Sequence, residues 1–454
     1  MTGKELLNAF THAHAETVLQ PLYGTDGVSP ARERYRTLLE GMLNLGVSAG
    51  PRDTASGFPW EFPEARGDLR IFTAAGRTEL GGNHTDHNRG KVLAASIQMD
   101  QAAVAAPRKD KWVFYRSTGY PDVIVDLGSL EPRPEEKGAT EALVRGIAAE
   151  FERRGVAVKG FTANADSTVL SGSGLSSSAA VEVLLGKIFD SFYNDGKSGA
   201  LELAQIGQKA ENNYFGKPCG LMDQTAAAFG GAVAIDFADK DKPLVQQVEF
   251  DVTATGYTLC IVDTHGSHAD LTPDYAAIPQ EMKAAAAFFG KSVLREVAPQ
   301  QLIRQLGEMR AALGDRAILR AFHFFDENRR VDDMMDILKS VQALSDTRKK
   351  EETFDQFLKM VNESGRSSWE ILQNIYSPQR PAEQGLSLAL TLTRQFLKDK
   401  GACRVHGGGF AGTIQAYIPL LSYTSYRDTM TAVFGPGCVT PLRIRPVGTA
   451  ELLF

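Results

Sequence analysis

Two periodicities of apolar residues divide this 454-residue chain. Leu69-Arg70-Ile71-Phe72 reads as extended, gives way to a polar, glycine-rich stretch, and resumes at Val92-Leu93-Ala94-Ala95-Ser96-Ile97, predicting two extended elements bridged by a loop. Within residues 139–154, Ala142, Leu143, Ile147, Ala148 and Phe151 fall at helical spacing, and Gly155 stands where a helix C-terminal glycine belongs; a strand is expected over 156–162. Val181, Leu184, Leu185, Ile188, Phe189 and Phe192 form the buried stripe of a further helix. Tyr257-Thr258-Leu259-Cys260-Ile261-Val262-Asp263-Thr264 reads as a buried strand, residues 274–399 as mostly helical, and 413–418 and 442–445 as closing strands.

Residues 1–65 begin with helical periodicity and run into the turn formers Ser48-Ala49-Gly50-Pro51-Arg52-Asp53 and Gly57-Phe58-Pro59-Trp60. The texture changes again near residue 250. The expected organisation is an N-terminal helical extension (1–65), a first domain (66–250) and a second domain (251–454), without internal repeats or low-complexity tracts.

Composition narrows the class. Lys plus Arg number 49 against 55 for Asp plus Glu, a net charge of −6, which leaves no basic footprint for nucleic acid. Cys219, Cys260, Cys403 and Cys438 are scattered without metal-ligand spacing or the density of a disulfide scaffold. No signal pattern opens the chain, and no apolar run approaches the roughly 20 residues needed to span a bilayer. A soluble cytoplasmic protein with no membrane partner is expected.

Three polar loops carry the candidate chemistry. Ala75-Gly76-Arg77-Thr78-Glu79-Leu80-Gly81-Gly82-Asn83-His84-Thr85-Asp86-His87-Asn88 gathers Arg77, Asn83, His84 and Asp86, side chains suited to gripping a polyol; on its own it reads equally as a polar surface loop. Leu170-Ser171-Gly172-Ser173-Gly174-Leu175-Ser176-Ser177-Ser178-Ala179-Ala180 leads from a strand into the helix at Val181. There, free N–H groups and the positive end of the helix dipole attract phosphate, and the serines exceed what a helix cap needs. The third loop is Gly407-Gly408-Gly409-Phe410-Ala411-Gly412, for which a structural hairpin is the alternative.

Commoner motifs fail. Gly196-Lys197-Ser198 and Gly290-Lys291-Ser292 match the end of a Walker-type loop but have Ser191 and Ala285 where its first glycine belongs. Gly407-x-Gly409-x-x-Gly412 satisfies the dinucleotide pattern, yet a strand is expected after it where that fold needs a helix, so a nicotinamide site is rejected. His84-Thr85-Asp86-His87 and His265-x-x-His268 lack the further ligands of a zinc site.

Together the loops resemble those of the GHMP small-molecule kinases, and within them the galactokinases. The first resembles the Gly-Arg-(x)-(x)-Leu-(x)-Gly-Glu-His-Thr-Asp-Tyr-Asn signature, the second the Gly-Leu-Ser-Ser-Ser-Ala phosphate loop and the third the Gly-Gly-Gly-Phe-Gly-Gly segment. Pro218-Cys219-Gly220-Leu221-Met222-Asp223-Gln224 looks like the stretch with the catalytic aspartate. The similarity runs in order from about residue 68 to Arg443-Ile444-Arg445-Pro446-Val447. It implies an α+β fold of two domains, ribosomal-S5-like then ferredoxin-like with extra helices, around an active-site cleft.

It further implies ATP-dependent phosphorylation of a sugar hydroxyl by a monomer, with Mg²⁺. Asp223 would accept or orient the proton of the attacking hydroxyl, and Arg77 would stabilise it. Asn83, His84, Asp86, Gly220 and Tyr275 would hold the sugar; Tyr275 comes from Thr272-Pro273-Asp274-Tyr275, which matches the family more loosely. Gly172, Ser173, Gly174, Leu175, Ser176, Ser177, Ser178, Gly408 and Gly409 would bind the nucleotide. Ser177, with Ser178 as competitor, and Glu211 would hold the metal.

Two positions depart from the pattern: Asn83 where the family has Glu, and His87 where it has Tyr. An amide both donates and accepts, whereas a carboxylate only accepts, so the change bears on which sugar is taken. Galactose is the first expectation, with galacturonate, arabinose or N-acetylgalactosamine as alternatives, and a catalytically silent galactose/ATP sensor as a different class.

Overall fold

The computed structural model describes residues 1–10, 13–45, 58–62, 67–170, 172–266 and 271–454. The turn formers at 48–53 and Gly57, the boundary drawn at 65/66, Ser171 and His268 lie outside the described residues.

The strands, in chain order, are β1 (Arg70–Gly81), β2 (Lys91–Pro107), β3 (Trp112–Ser117), β4 (Val123–Asp126), β5 (Phe161–Ser167), β6 (Ala232–Asp236), β7 (Leu244–Val248), β8 (Tyr257–Asp263), β9 (Ala402–Val405), β10 (Thr413–Pro419), β11 (Val439–Leu442) and β12 (Ala450–Leu452). They form two sheets. The first has the order β12-β1-β2-β5-β3-β4, with β6 on the other half of β2 and β7 outside β6; the second is β11-β8-β10-β9. β2 is long enough to serve two partners in turn, pairing β6 from Lys91 to Ala95 and β5 from Gln101 to Pro107.

Both faces of the first sheet are covered, which is why β2 reads as a continuous apolar run rather than an alternation. Phe72, Ala103 and Ala105 face the helices Thr140–Arg153, Ser177–Tyr193 and Ala200–Ala210. Their neighbours Ile71, Ala102 and Val104 face Leu19, Tyr35, Leu38 and Leu39, on the helices Ala13–Tyr23 and Val28–Leu43. The N-terminal helices are therefore a structural layer of the first domain, contributing about 1.5–3 kcal/mol for each large side chain they bury.

Two elements differ from the sequence reading. The strand expected at 156–162 starts at Phe161, because the residues before it complete a helix cap. Gly155 N–H donates to Glu152 O and Val156 N–H to Phe151 O, a Schellman motif that consumes the start of the segment. The strand expected at 442–445 ends instead at Leu442, and the chain then leaves the second sheet for the first. Gln98 N–H donates to Arg443 O (2.9 Å), Arg445 N–H to Ser96 O (3.1 Å), and β12 pairs antiparallel with β1 from Ile71↔Leu452 to Thr73↔Ala450.

A buried carboxylate fastens this returning tail and the N-terminal layer to the sheet. Asp100, fully buried, accepts from Arg34 Nη1 (2.5 Å), Tyr23 Oη (2.5 Å), Arg445 Nη1 (3.1 Å) and Thr73 Oγ1. Burial alone raises its pKa, but Arg34 and Arg445 outweigh burial and hold it below the usual 3.8. Asp100→Asn would leave the fully buried Arg445 guanidinium without its counter-ion and Arg34 with Asp166 alone (2.8 Å), and urea unfolding is expected to show a loss of about 3–5 kcal/mol. Because the folded pKa is depressed, this stabilisation is present above the unfolded value and disappears as pH falls through the folded one. The acid limb of the wild-type stability curve should accordingly be steeper than that of Asp100→Asn.

Candidate active site

Much of the first polar stretch is strand. Residues 75–81 stay in β1, with Arg77, Thr78 and Glu79 opposite Ser96, Ala95 and Ala94 of β2, and the chain turns only after Gly82. The polar residues escaped strand periodicity because each is bonded inside the protein. Thr78 meets His406 and Gln415 (3.0 and 2.8 Å), and Glu79 meets Arg404 (2.6 Å). The turn continues through His84, at φ 59°, into a single 3-10 turn at Asp86–Asn88.

Arg77 joins the two chemical loops. Its Nε and Nη2 donate to the two oxygens of Asp223, both at 2.8 Å, while Nη1 donates to Gly174 O and its backbone N–H to Leu175 O. Asp223 sits in the first turn of the helix Met222–Phe229 and remains about one-third exposed, whereas Arg77 is buried. Burial would raise the Asp223 carboxyl, but the Arg77 charge and hydrogen bonds, with the Ser176 hydroxyl and Lys217, hold it below its usual 3.8.

Ser176 adopts a left-handed conformation (φ 59°) and gives its hydroxyl to Asp223 rather than capping the helix Ser177–Tyr193, whose N-terminus has no side-chain cap. That leaves N–H groups and the positive dipole end facing outward beside Gly172, Gly174 and Leu175. Ser173 donates to Leu170 O (2.7 Å), and the hydroxyls of Ser177 and Ser178 make no hydrogen bond to the described residues. Glu211 lies at the start of a π-turn, with Oε2 on Gln224 (3.0 Å) and Oε1 on Lys217 (3.2 Å); Gln224 also bonds Glu182 (2.9 Å). A carboxylate and a hydroxyl unbonded to the described residues are donors that fit Mg²⁺, which takes few protein oxygens and completes its shell with phosphates and water. No cluster of three or more His, Cys, Asp or Glu able to hold a metal occurs among the described residues.

Beyond Arg77, a cavity of about 120 Å³ is lined by Glu79, Gly82, Asn83, His84, Asp86, His87, Met222, Gly407 and Gly408. A roomier cavity of about 700 Å³, between Gln20, Phe250 and Arg443, holds no residue of the three polar loops. His84 Nε2 donates to Gly408 O (2.9 Å), and burial pushes its pKa down to about 4, so the ring is neutral. Asp86 packs directly against Gly220, where an added Cβ would lie 2.3 Å from Oδ2.

Asn83 and Tyr275, expected on the sugar, are engaged within the protein. Asn83 is 1% exposed; its Nδ2 donates to Glu79 Oε1 (3.1 Å) and Gly407 O (2.7 Å), and its Oδ1 accepts from Asn374 (2.8 Å). Both N–H groups of the amide are thus taken up inside the protein, and Oδ1 also lies 3.5 Å from the Ser368 hydroxyl. Tyr275 is not on the cavity wall; it donates to Gly409 O (2.8 Å) and sets its ring edge-on to Phe410. Both residues shape the third loop. Gly409, at φ 83°, tolerates no side chain there, since a Cβ would sit 2.1 Å from Asn374 O. Of the glycines expected on the nucleotide, Gly408 lines the sugar-side cavity, while Thr413, just beyond the loop, bonds Ser173 O (3.1 Å) in the phosphate loop.

Several residues that build the site carry no motif. His323 Nε2 donates to Asn83 O (2.9 Å), and Glu327 Oε2 accepts from Gly82 N–H (3.0 Å). Both lie on the long helix Asp315–Ala343, and their i, i+4 placement among phenylalanines is the one signal that marks them. Glu79, Arg404, His406 and Asn374 have no such signal.

The chain matches the model of the GHMP kinases N terminal domain over residues 142–231 and the galactokinase galactose-binding signature over 58–107. Its fold is that of these kinases: the Methanococcus jannaschii mevalonate kinase superposes with a TM-score of 0.57 at 12% identity, over 84% of this chain and 99% of that one. The Lactococcus lactis galactokinase, solved with galactose, superposes with a TM-score of 0.70 at 25% identity, over 88% of this chain and all of that one. Galactokinases of Mannheimia succiniciproducens and Actinobacillus pleuropneumoniae are 32% and 31% identical, over 82% and 76% of this chain and 90% and 84% of theirs. The chain belongs to the galactokinase family.

Gly220→Ala tests the Asp86 contact. The new methyl displaces the carboxylate, so KM for the sugar is expected to rise on the order of tenfold while KM for ATP and the circular dichroism spectrum stay unchanged.

Proposed function

We propose that this protein is an ATP-dependent, Mg²⁺-assisted sugar 1-kinase that converts galactose to galactose 1-phosphate. The observation that carries the reading is the bidentate Arg77–Asp223 pair, placed where the uncapped phosphate-binding helix and the small polar cavity meet. The sugar lies in that cavity against His84, Asp86 and the Gly407–Gly408 backbone, with the acceptor hydroxyl toward Asp223. The nucleotide phosphates lie on the N–H groups at 172–178.

Asp223, kept ionised by Arg77, is a weak base at neutral pH. It orients the hydroxyl and takes its proton late, as the oxygen–phosphorus bond forms. Arg77 balances the charge gathering on the attacking oxygen and pins Asp223 to the phosphate loop through Gly174 O. Glu211 and Ser177 are the residues that would hold Mg²⁺, which when bound neutralises phosphate charge. The third loop closes over the sugar side and limits access of water. Action as a monomer and a cytoplasmic location are part of the proposal, and no described helix is long and apolar enough to cross a membrane.

The sensor alternative is weighed against by the intact Arg77–Asp223–Ser176 cluster, which sugar binding alone does not require. Asp223→Asn is expected to lower kcat by about 10²–10⁴ with ATP binding retained, read as galactose-dependent ADP release and nucleotide affinity. Near-normal turnover in a folded Asp223→Asn would overturn the assignment. Since the Asp223 pKa is depressed, the active ionised form persists into acid, and log kcat/KM should show no Asp223-dependent fall until pH drops below about 4.

A further inference from the structure

Glu79 is a carboxylate that neither the motifs nor the mechanism above uses, and it lines the sugar cavity. Oε1 is engaged by Arg404 (2.6 Å) and Asn83 (3.1 Å). Oε2 accepts no hydrogen bond from the described residues, and it is not among their buried atoms left without a partner, so it is open to the cavity. Arg77 and Glu79 are two residues apart in a regularly paired part of β1, hence on the same face and about 7 Å apart along the strand. Asp223, on Arg77, marks the phosphorylated end of the sugar; Glu79 stands one ring's width away, at the other end.

We infer that Glu79 Oε2, rather than the Asn83 amide, receives the sugar's far-end hydroxyl at C4 or C6 and selects a neutral hexose over a hexuronate. Asn83 serves this indirectly, fixing Oε1 so that Oε2 faces the cavity. A sugar carboxylate placed there meets the Glu79 carboxylate, and neither nearby guanidinium is free to balance it. Arg77 is committed to Asp223, Arg404 to Glu79, and the His84 ring is neutral at pH 7.

The inference rests on the kinase reading above, and the test separates the two. Wild type and Glu79→Gln, which keeps the shape and an oxygen for Arg404, are compared with Mg-ATP on galactose, 4-deoxygalactose, 6-deoxygalactose and galacturonate, alongside thermal midpoints and KM for ATP. Wild type is expected to favour galactose over at least one deoxy analogue by about tenfold or more in kcat/KM and to reject galacturonate. Glu79→Gln should shrink the deoxy ratio toward one and narrow the galacturonate gap, with KM for ATP unchanged. A folded Glu79→Gln that retains every wild-type ratio overturns the inference. So does a wild type that accepts both deoxy analogues as well as galactose, a result that needs no variant to fold. If galactose yields no ADP, the kinase reading fails by itself. Calorimetric binding of the same four sugars then decides Glu79: discrimination against a deoxy sugar supports it, and equal binding or no galactose binding overturns it.

Discussion

The structure hinges on a buried polar seam between β1 of the first sheet and β9 and β10 of the second. Glu79 and Arg404 form an ion pair there with side chains 4% and 0% exposed, flanked by Thr78 bonded to His406 and by Gln415 bonded to both Thr78 and the Glu79 carbonyl. A buried ion pair adds little net stability over an apolar substitute, but breaking one partner leaves a charge stranded in low dielectric. The seam therefore acts on register: few relative positions of the two sheets satisfy all of these donors and acceptors together. His406 belongs to it as a neutral ring, since burial, then Arg77 and Arg404, push its pKa down to about 3.

Because β1 also carries Arg77, whatever fixes the seam fixes the chemistry. Through Arg77 the strand holds the Asp223 carboxylate and the serine–glycine loop, and its neighbouring polar side chains bind the second domain. The turn after Gly82 is held from the second domain as well, by His323 and Glu327 on the helix Asp315–Ala343 and by Asn374. The site is thus a surface of contact between two halves rather than a feature of either, which suits a reaction whose catalysis is mostly positioning.

The sequence exposed the parts of this arrangement that repeat or concentrate. Helical stripes such as Val181 to Phe192, the alternation of helix and strand, and the serine–glycine loop are local patterns with local causes. The motif residues were also legible, but their partners were not. That Asn83 faces inward follows from Asn374 and Gly407, more than 280 residues away. Nothing local distinguishes it from an amide facing ligand. Glu79 sits within a strand whose polar members look like loop residues until Arg404 and Gln415 are seen opposite them. The Schellman cap at Gly155 shortened one expected strand, and the exchange of sheets after Leu442 redirected another, since hydrophobic period indicates that a segment is extended without indicating which sheet it joins.

The return of the C-terminal tail has a consequence for the order of events during synthesis. β12 is the edge strand of the first sheet, and Arg445 is one of the two guanidiniums around Asp100, yet both leave the ribosome after every strand of the second sheet. Until then the nascent first domain holds an uncovered edge at β1 and a carboxylate with one of its two guanidinium partners. A chain that stops between the first sheet and Arg445 stays in that condition, with the β1 edge open and Arg34 alone on Asp100.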